Sequence, residues 1–353
     1  MMTNCAAGAG MKLISVIIPA YNVALYIGNT LKSLFSQITD DIEIIVVDDG
    51  SNDDTADFVE SMFAAQGMTD HKLIRQTNRG VSAARNAGLD PAVGVYVFFL
   101  DGDDYISDTL FQMLRPILKE KSIDICCWKF NLVNPDMTVY RTYEQYMRKA
   151  MMPAGEVTGI GALENILVHH SLFIWAGSAL YRRAFLVDNQ LHFHVGCQRG
   201  QDVEFIQKAL LHAGNVRFVD STLSYYLQRP GSAIHSFSVR LFDAVCATVR
   251  TSMNLDPAML KSHGRLGYIL RYQRPVEEFL FVTAFSVIHS GIKSKGLSRM
   301  IDSEYPQLRR QINKTAVKDL KMFDRFRWIY LIYRYAPQLF IFCVKTFSRY
   351  QGV

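Results

Sequence analysis

Short apolar runs alternate with amphipathic stretches through the first hundred residues. Residues 13–19 (LISVIIP), 42–47 (IEIIVV), 72–75 and 95–100 are brief, with β-branched or aromatic side chains prominent. Runs of that length without polar alternation predict strands buried on both faces, as in a parallel sheet. Between them the period lengthens. Leu25, Ile27, Leu31, Leu34 and Phe35 suit one helical face, a second helix runs to about Ala65, and a third carries Ala83, Ala84, Arg85, Asn86 and Ala87. Strand alternating with helix predicts an α/β protein with right-handed crossovers and a Rossmann-like, mostly parallel sheet flanked by helices.

Ligands of open α/β sheets sit beyond the carboxyl ends of the strands. Polar clusters follow four strands here: Tyr21-Asn22, Asp48-Asp49, Asn78-Arg79 and Asp101 to Asp104. The last packs three carboxylates into four positions. Like charges that close repel one another, and a divalent cation neutralises them, completing its shell with substrate phosphates when only one or two carboxylates hold it. An ordinary acidic turn is the alternative. Neither G-x-G-x-x-G nor a G-K-[ST] loop follows the first strand, which argues against dinucleotide oxidoreductases and P-loop NTPases.

Composition narrows the class further. Hydrophobic residues make up 49% and charged residues 20%, which describes a globular chain with a substantial core. At 353 residues it is one large domain or two modest ones. A net charge of +5 does not call for a nucleic-acid partner, although the basic excess gathers toward the C-terminus. The six cysteines have no C-x-x-C spacing and read as reduced thiols of a cytoplasmic protein. Residues 1–10 have neither the basic nor the apolar region of a signal peptide, and Met11 is a second candidate start. No apolar stretch reaches spanning length.

PAYN after the first strand, DDGSNDDT after the second, then NRGVSAARNAG and FFLDGDD occur in that order over residues 13–110. Together they resemble the family 2 glycosyltransferases of GT-A fold. The resemblance implies a nucleotide-diphospho-sugar donor, UDP-linked by preference, and a Mn²⁺ or Mg²⁺ ion. Pro19 and Tyr21 would flank the nucleoside. Asp49 would accept the uracil N3–H, since an ionised carboxylate only accepts, with Asp48 a structural partner. Arg85 and Arg79 would lie near base or phosphates. Asp103 would ligate the metal, and Asp101 would contact ribose or metal-bound water. Asp104 either joins this cluster or caps the helix beginning near residues 107–110.

Sugar transfer also needs a base for the acceptor hydroxyl. In Gly200-Gln201-Asp202-Val203-Glu204-Phe205, Asp202 falls where the family has its catalytic Asp, and Gln201 departs from the usual Glu. An N-cap carboxylate is the bland reading of Asp202. Residues 173–183 resemble the family's acceptor-side strand, with Trp175 either a sugar platform or a core residue. Residues 225–235 resemble a loop closing over the diphosphate, where Arg229 would neutralise the leaving group and His235 would reach metal or phosphate. The Q-x-x-R-W motif of processive synthases is missing, favouring single-sugar addition. His169-His170 and His192-Phe193-His194 lack a third ligand at metal spacing and read as surface or acceptor-site residues.

Residues 240–320 read as helices, with 279–288 a buried face. From 325 to 349 aromatic and aliphatic residues dominate. Arg327, Arg334 and Lys345 share one helical face, and Pro337 breaks the helix between them. Such a pattern fits a helix in a membrane interface; packing on the core or on a dimer partner is the alternative. The expected organisation is a catalytic domain over 11–235, with a nucleotide-sugar half (11–110) and an acceptor half (111–235), then a helical C-terminal region over 236–353. The implied activity is inverting transfer of one sugar to a glycan or lipid-linked acceptor in surface-polysaccharide synthesis (O-antigen, lipopolysaccharide core or capsule). It would take place at the inner face of the cytoplasmic membrane. A non-catalytic sugar-nucleotide-binding scaffold and a nucleotidyltransferase are the competing readings; the latter would want a glycine-rich basic loop where PAYN stands.

Overall fold

All seven residues of β1 (Ile14–Ala20) and all seven of β2 (Ile42–Asp48) are buried, as continuous apolar runs require. The structure, a computed structural model, describes residues 12–67, 70–119, 122–147, 149–229, 237–289 and 294–351. The chain divides into two units, residues 1–196 with 208–229 and residues 197–207 with 230–353.

The first unit is built on one mixed sheet. Helices α1 (Ile27–Phe35), α2 (Thr55–Gln66) and α3 (Val81–Leu89) connect β1, β2, β3 (His71–Arg75) and β4 (Tyr96–Phe99). Strand β1 pairs in parallel with β2 and β4, and β2 with β3. Next come β5 (Tyr105–Ile106), α4 (Leu110–Leu118), β6 (Ile125–Val133), β7 (Val139–Arg141), β8 (Glu156–Val157), β9 (Ala179–Arg182) and β10 (Val216–Leu227). The sheet order is β3-β2-β1-β4-β9-β6-β10-β5. Antiparallel β9 separates the two parallel groups, β1–β4 and β6 with β10.

Glu43 and Ser15 fasten the first group. Glu43 accepts from Ser15 Oγ at 2.5 Å, from the Val93 amide at 2.7 Å and from Lys72 Nζ at 3.1 Å, while Ser15 Oγ accepts from the Gly94 amide at 2.8 Å. Burial alone would raise the Glu43 pKa; the donors from Ser15, Val93 and Lys72 outweigh it and hold the carboxyl below its ordinary value.

The second unit is helical. Its core joins Phe242 and Val245 of the Phe242–Met253 helix, Phe279 and Val282 of Arg274–His289, Ile301, Ile312, Tyr330 and Phe340. The expected buried face over 279–288 is present. The C-terminal helix breaks at Ala336, giving Arg325–Tyr335 and Pro337–Gln351, as Pro337 dictates. Of the expected basic stripe, Arg334 is exposed, and Arg327 needs correction. Arg327 turns inward and donates to the Leu320 carbonyl at 2.8 Å, and the Lys345 side chain lies outside the described residues. Arg325 and Arg334 are exposed together with the apolar Trp328, Ile332, Tyr335, Leu339 and Phe342, the latter five at 38–70% exposure. No helix among the described residues is long and apolar enough to cross a membrane. The five cysteines among them are free.

Candidate active site

The carboxyl ends of β1 and β2 are stitched into one ledge. Asn22 adopts a positive φ of 51°, which asparagine tolerates better than most residues. Its amide donates to Ser51 Oγ at 3.0 Å, and its Oδ1 accepts from the Asn52 amide at 2.8 Å. Asp49 lies beyond β2, is 3% exposed and accepts three hydrogen bonds. Gln76 Nε2 (2.6 Å) and the Arg79 amide (2.9 Å) reach Oδ1, and the Gly80 amide (2.8 Å) reaches Oδ2. A carboxylate oxygen takes about two such bonds, so Oδ2 keeps acceptor capacity. Gly50 lets the chain pass: its φ is +73°, and a Cβ there would lie 2.8 Å from the Asn78 amide nitrogen. Pro19 is buried in β1 opposite Val47, whereas Tyr21 is 44% exposed and Arg79 is exposed.

Two guanidinium groups hold the acidic cluster beyond β4. Arg85 of α3, 2% exposed, donates to Asp101 Oδ1 at 2.6 Å, and its guanidinium lies 4.9 Å over the Phe193 ring. Arg229, two residues past β10, sits 2.7 Å from Asp103 Oδ2 and 5.2 Å over the Tyr26 ring. Asp104 is fully buried. Its Oδ1 accepts from the Leu227 amide at 2.7 Å, while Oδ2 has no partner among the described residues. It therefore ties the cluster to β10 instead of capping α4, whose N-cap is Thr109. Burial first, then the neighbouring Asp101 charge, pushes the Asp103 carboxyl up against the opposing pull of Arg229. Burial and the Asp103 and Asp101 charges push Asp104 well above the carboxylate range.

Three crowded carboxylates, two of them destabilised as anions, suit a hard cation. No group of three His, Cys, Asp or Glu side chains among the described residues could hold one unaided. Such an ion fits on one or two carboxylates with phosphate oxygens. His235 lies outside the described residues. His169, His170, His192 and His194 are exposed. Between the last two, buried Phe193 lies under Arg85, its backbone carbonyl and N–H bonded to the Asn86 side-chain amide at 2.9 and 3.0 Å.

Trp175 is 7% exposed, with Phe130 and Tyr226 ring centroids 5.4 and 4.9 Å away. This is the packed arrangement that its sequence also allowed. Asp202 is the second residue of the Gln201–His212 helix, and its Oδ1 accepts from the Val203 amide at 2.9 Å. The segment carrying it is clamped within the helical unit. Arg250 donates to buried Glu204 through Nε (3.0 and 3.2 Å) and Nη2 (2.6 Å), and Asp243 accepts from the Gln198 amide at 2.9 Å. Gly200, at φ +74°, passes where a Cβ would lie 2.9 Å from Ala244 Cα. Gln201 Oε1 is buried without a hydrogen-bond partner among the described residues.

Sequence motifs had not pointed to Tyr26, Gln76, Phe193 or Arg250. Each is an ordinary core or surface residue type whose partner lies 27 to 203 positions away.

A mixed α/β sheet with donors and carboxylates gathered at its strand ends defines a class of α/β proteins whose ligand sites lie beyond the carboxyl ends of the strands. Comparison sharpens this: residues 15–208 match the model of glycosyl transferase family 2, and the chain belongs to that family. It is 28% identical to the uncharacterized glycosyltransferase EpsJ of Bacillus subtilis over 351 residues, 97% of each chain. It is 31% identical to the poly(ribitol-phosphate) β-N-acetylglucosaminyltransferase TarS of Staphylococcus aureus over 219 residues, 61% of this chain and 35% of that one. The solved TarS 1–349 complex with UDP-GlcNAc superposes with a TM-score of 0.69 at 23% identity, covering 96% of this chain and 92% of that one. The mannosyltransferase PcManGT of Pyrobaculum calidifontis, solved with GDP-Man and Mn²⁺, gives 0.54 at 16% identity, covering 86% and 84%. The fold is GT-A.

Proposed function

We propose that the chain is an inverting glycosyltransferase that moves one sugar from a UDP-sugar to a hydroxyl of a glycan or lipid-linked acceptor in surface-polysaccharide assembly. The observation that carries this reading is the placement of Asp49, with acceptor capacity left on Oδ2, and of the Asp101–Asp103 pair beyond β2 and β4, the two parallel strands that flank β1. The UDP-GlcNAc complex of TarS and the polymer in that enzyme's name support the donor and acceptor classes.

In this reading Asp49 accepts the uracil N3–H, while Pro19 and Tyr21 flank the nucleoside. Arg79 faces the phosphates, and Arg85 holds Asp101 toward the ribose. Asp103, with Asp101, would hold Mn²⁺ or Mg²⁺, which would neutralise charge on the departing diphosphate. Arg229 adds a second positive charge there. Asp202 takes the proton of the acceptor hydroxyl. The acceptor oxygen bonds to the anomeric carbon as that carbon's bond to the diphosphate oxygen breaks, and the electron pair leaves with UDP. One displacement inverts the centre with no covalent enzyme intermediate. Trp175 serves the acceptor side through the aromatic cluster it anchors. The exposed apolar face of the two C-terminal helices supports peripheral attachment at the inner membrane surface.

The test is UDP release from a panel of UDP-sugars (glucose, galactose, their N-acetyl forms, glucuronic acid), each with and without Mn²⁺. Metal-dependent release from one donor is expected. Metal-independent release, or binding of neither UDP nor any donor, contradicts the assignment.

A further inference from the structure

The basic excess of the chain is concentrated in its last sixty residues. Residues 294–353 carry 12 Lys and Arg against 4 Asp and Glu, leaving 26 against 29 in the first 293 residues. Within this segment is a cavity of about 530 Å³, lined by Arg309, Arg310, Asn313, Tyr330, Tyr333 and Arg334 among others. The one carboxylate on its wall, Asp302, belongs to Arg309, whose Nη1 reaches it at 3.0 Å. Ser298 also holds Arg309, accepting through its carbonyl at 3.2 Å and through its hydroxyl. Arg309 Nε is buried without a partner among the described residues, as is Asn313 Oδ1. Arg310 and Arg334 are exposed and have no carboxylate partner among the described residues; Arg334 rests 5.1 Å over the Tyr335 ring. The wall thus has one fixed guanidinium, two uncompensated ones and tyrosine rings.

We propose that this cavity binds a phosphate ester, gripped by Arg309, Arg310 and Arg334. Guanidinium forks match phosphate oxygens two at a time, which makes arginine the preferred side chain for such recognition. Two positive charges in excess fit a phosphate monoester at neutral pH. The space is many times the roughly 30 Å³ of one water, so the esterified group fits as well as the phosphate. Two sources share this chemistry, a phosphorylated lipid headgroup and a soluble phosphate ester. The flanking residues favour the lipid, because Tyr335 is 70% and Leu339 50% exposed beside Arg334 and Pro337 of the cavity wall. The site goes beyond the proposed transfer, since none of its lining residues belongs to the donor, metal or base sets.

The experiment uses the full chain, the Arg310→Ala/Arg334→Ala variant, and Lys314→Ala/Lys318→Ala, which removes the same charge from exposed positions that do not line the cavity. One arm measures cosedimentation with phosphatidylcholine vesicles containing or lacking phosphatidic acid. The other measures glycerol 3-phosphate binding by calorimetry. A loss of about tenfold or more in the arginine variant, against about threefold or less in the lysine control, is expected in at least one arm. Loss confined to vesicles assigns the lipid source, and loss in the glycerol-phosphate arm assigns the soluble one. Equal losses in the two variants, or no binding of wild type in either arm, overturn the proposal. Melting temperatures matching wild type establish that the variants fold, and Arg310→Gln/Arg334→Gln replaces the alanine pair if it does not.

Discussion

Buried carboxylates in this protein differ by the company they keep. Glu43 meets three donors and is held down, whereas burial, and after it the charge of neighbouring carboxylates, drives Asp103 and Asp104 up. The first is a structural pin, and the second group keeps more negative charge than Arg85 and Arg229 offset. For Glu43 the depressed folded pKa means that its stabilisation is present above the ordinary glutamate value and lost as pH falls through the folded one. Glu43→Gln should therefore cost about 1–3 kcal/mol at pH 7. That cost should shrink when urea melts are repeated near pH 3. An equal cost at both values would contradict the assignment. The Asp101 to Asp104 cluster was legible in the sequence because crowding like charges at a strand end has no structural reward. Its guanidinium partners were less so, since the ring under Arg85 comes from residue 193 and the carboxylate beside Arg229 from residue 103.

Elements were legible where one run of sequence met one physical demand. The strands β1, β2 and β4 are continuous apolar runs, and they fold as parallel strands buried in the sheet. The insertion of β9 between β4 and β6 was not legible, because four residues of ALYR carry no period long enough to fix a direction. The start of the Asp202 helix shows a third case. Its capping chemistry is local, but its hold comes from Arg250 of the Phe242–Met253 helix, 46 residues beyond Glu204. Glu204 is 2% exposed, and removing the partner of a buried charge costs about 3–5 kcal/mol. Arg250→Ala should lower stability by an amount of that order in denaturant melts, with Arg250→Lys recovering part of it. A loss below about 1 kcal/mol for Arg250→Ala would mean that the pair is not the clamp.

The whole molecule separates its tasks along the chain. The sheet unit gathers the carboxylates and backbone donors suited to a nucleotide and a cation. The helical unit carries Asp202, the basic excess and the exposed apolar helices. In the proposed transfer reaction, donor recognition is assigned to residues of the first unit and proton removal to Asp202 of the second. Composition showed the charge asymmetry and the sequence showed the break at Pro337, but which face of the tail is exposed depended on packing against Phe279 and its neighbours. The measurement that tests this division most directly compares wild type with Asp202→Asn in two assays on the same preparation: calorimetric UDP binding with Mn²⁺, and sugar transfer from the donor that the panel identifies. UDP affinity within about twofold of wild type is expected, with a rate lower by at least about 10²-fold, the scale of a lost general base. Unchanged turnover in Asp202→Asn would contradict the assignment of that base.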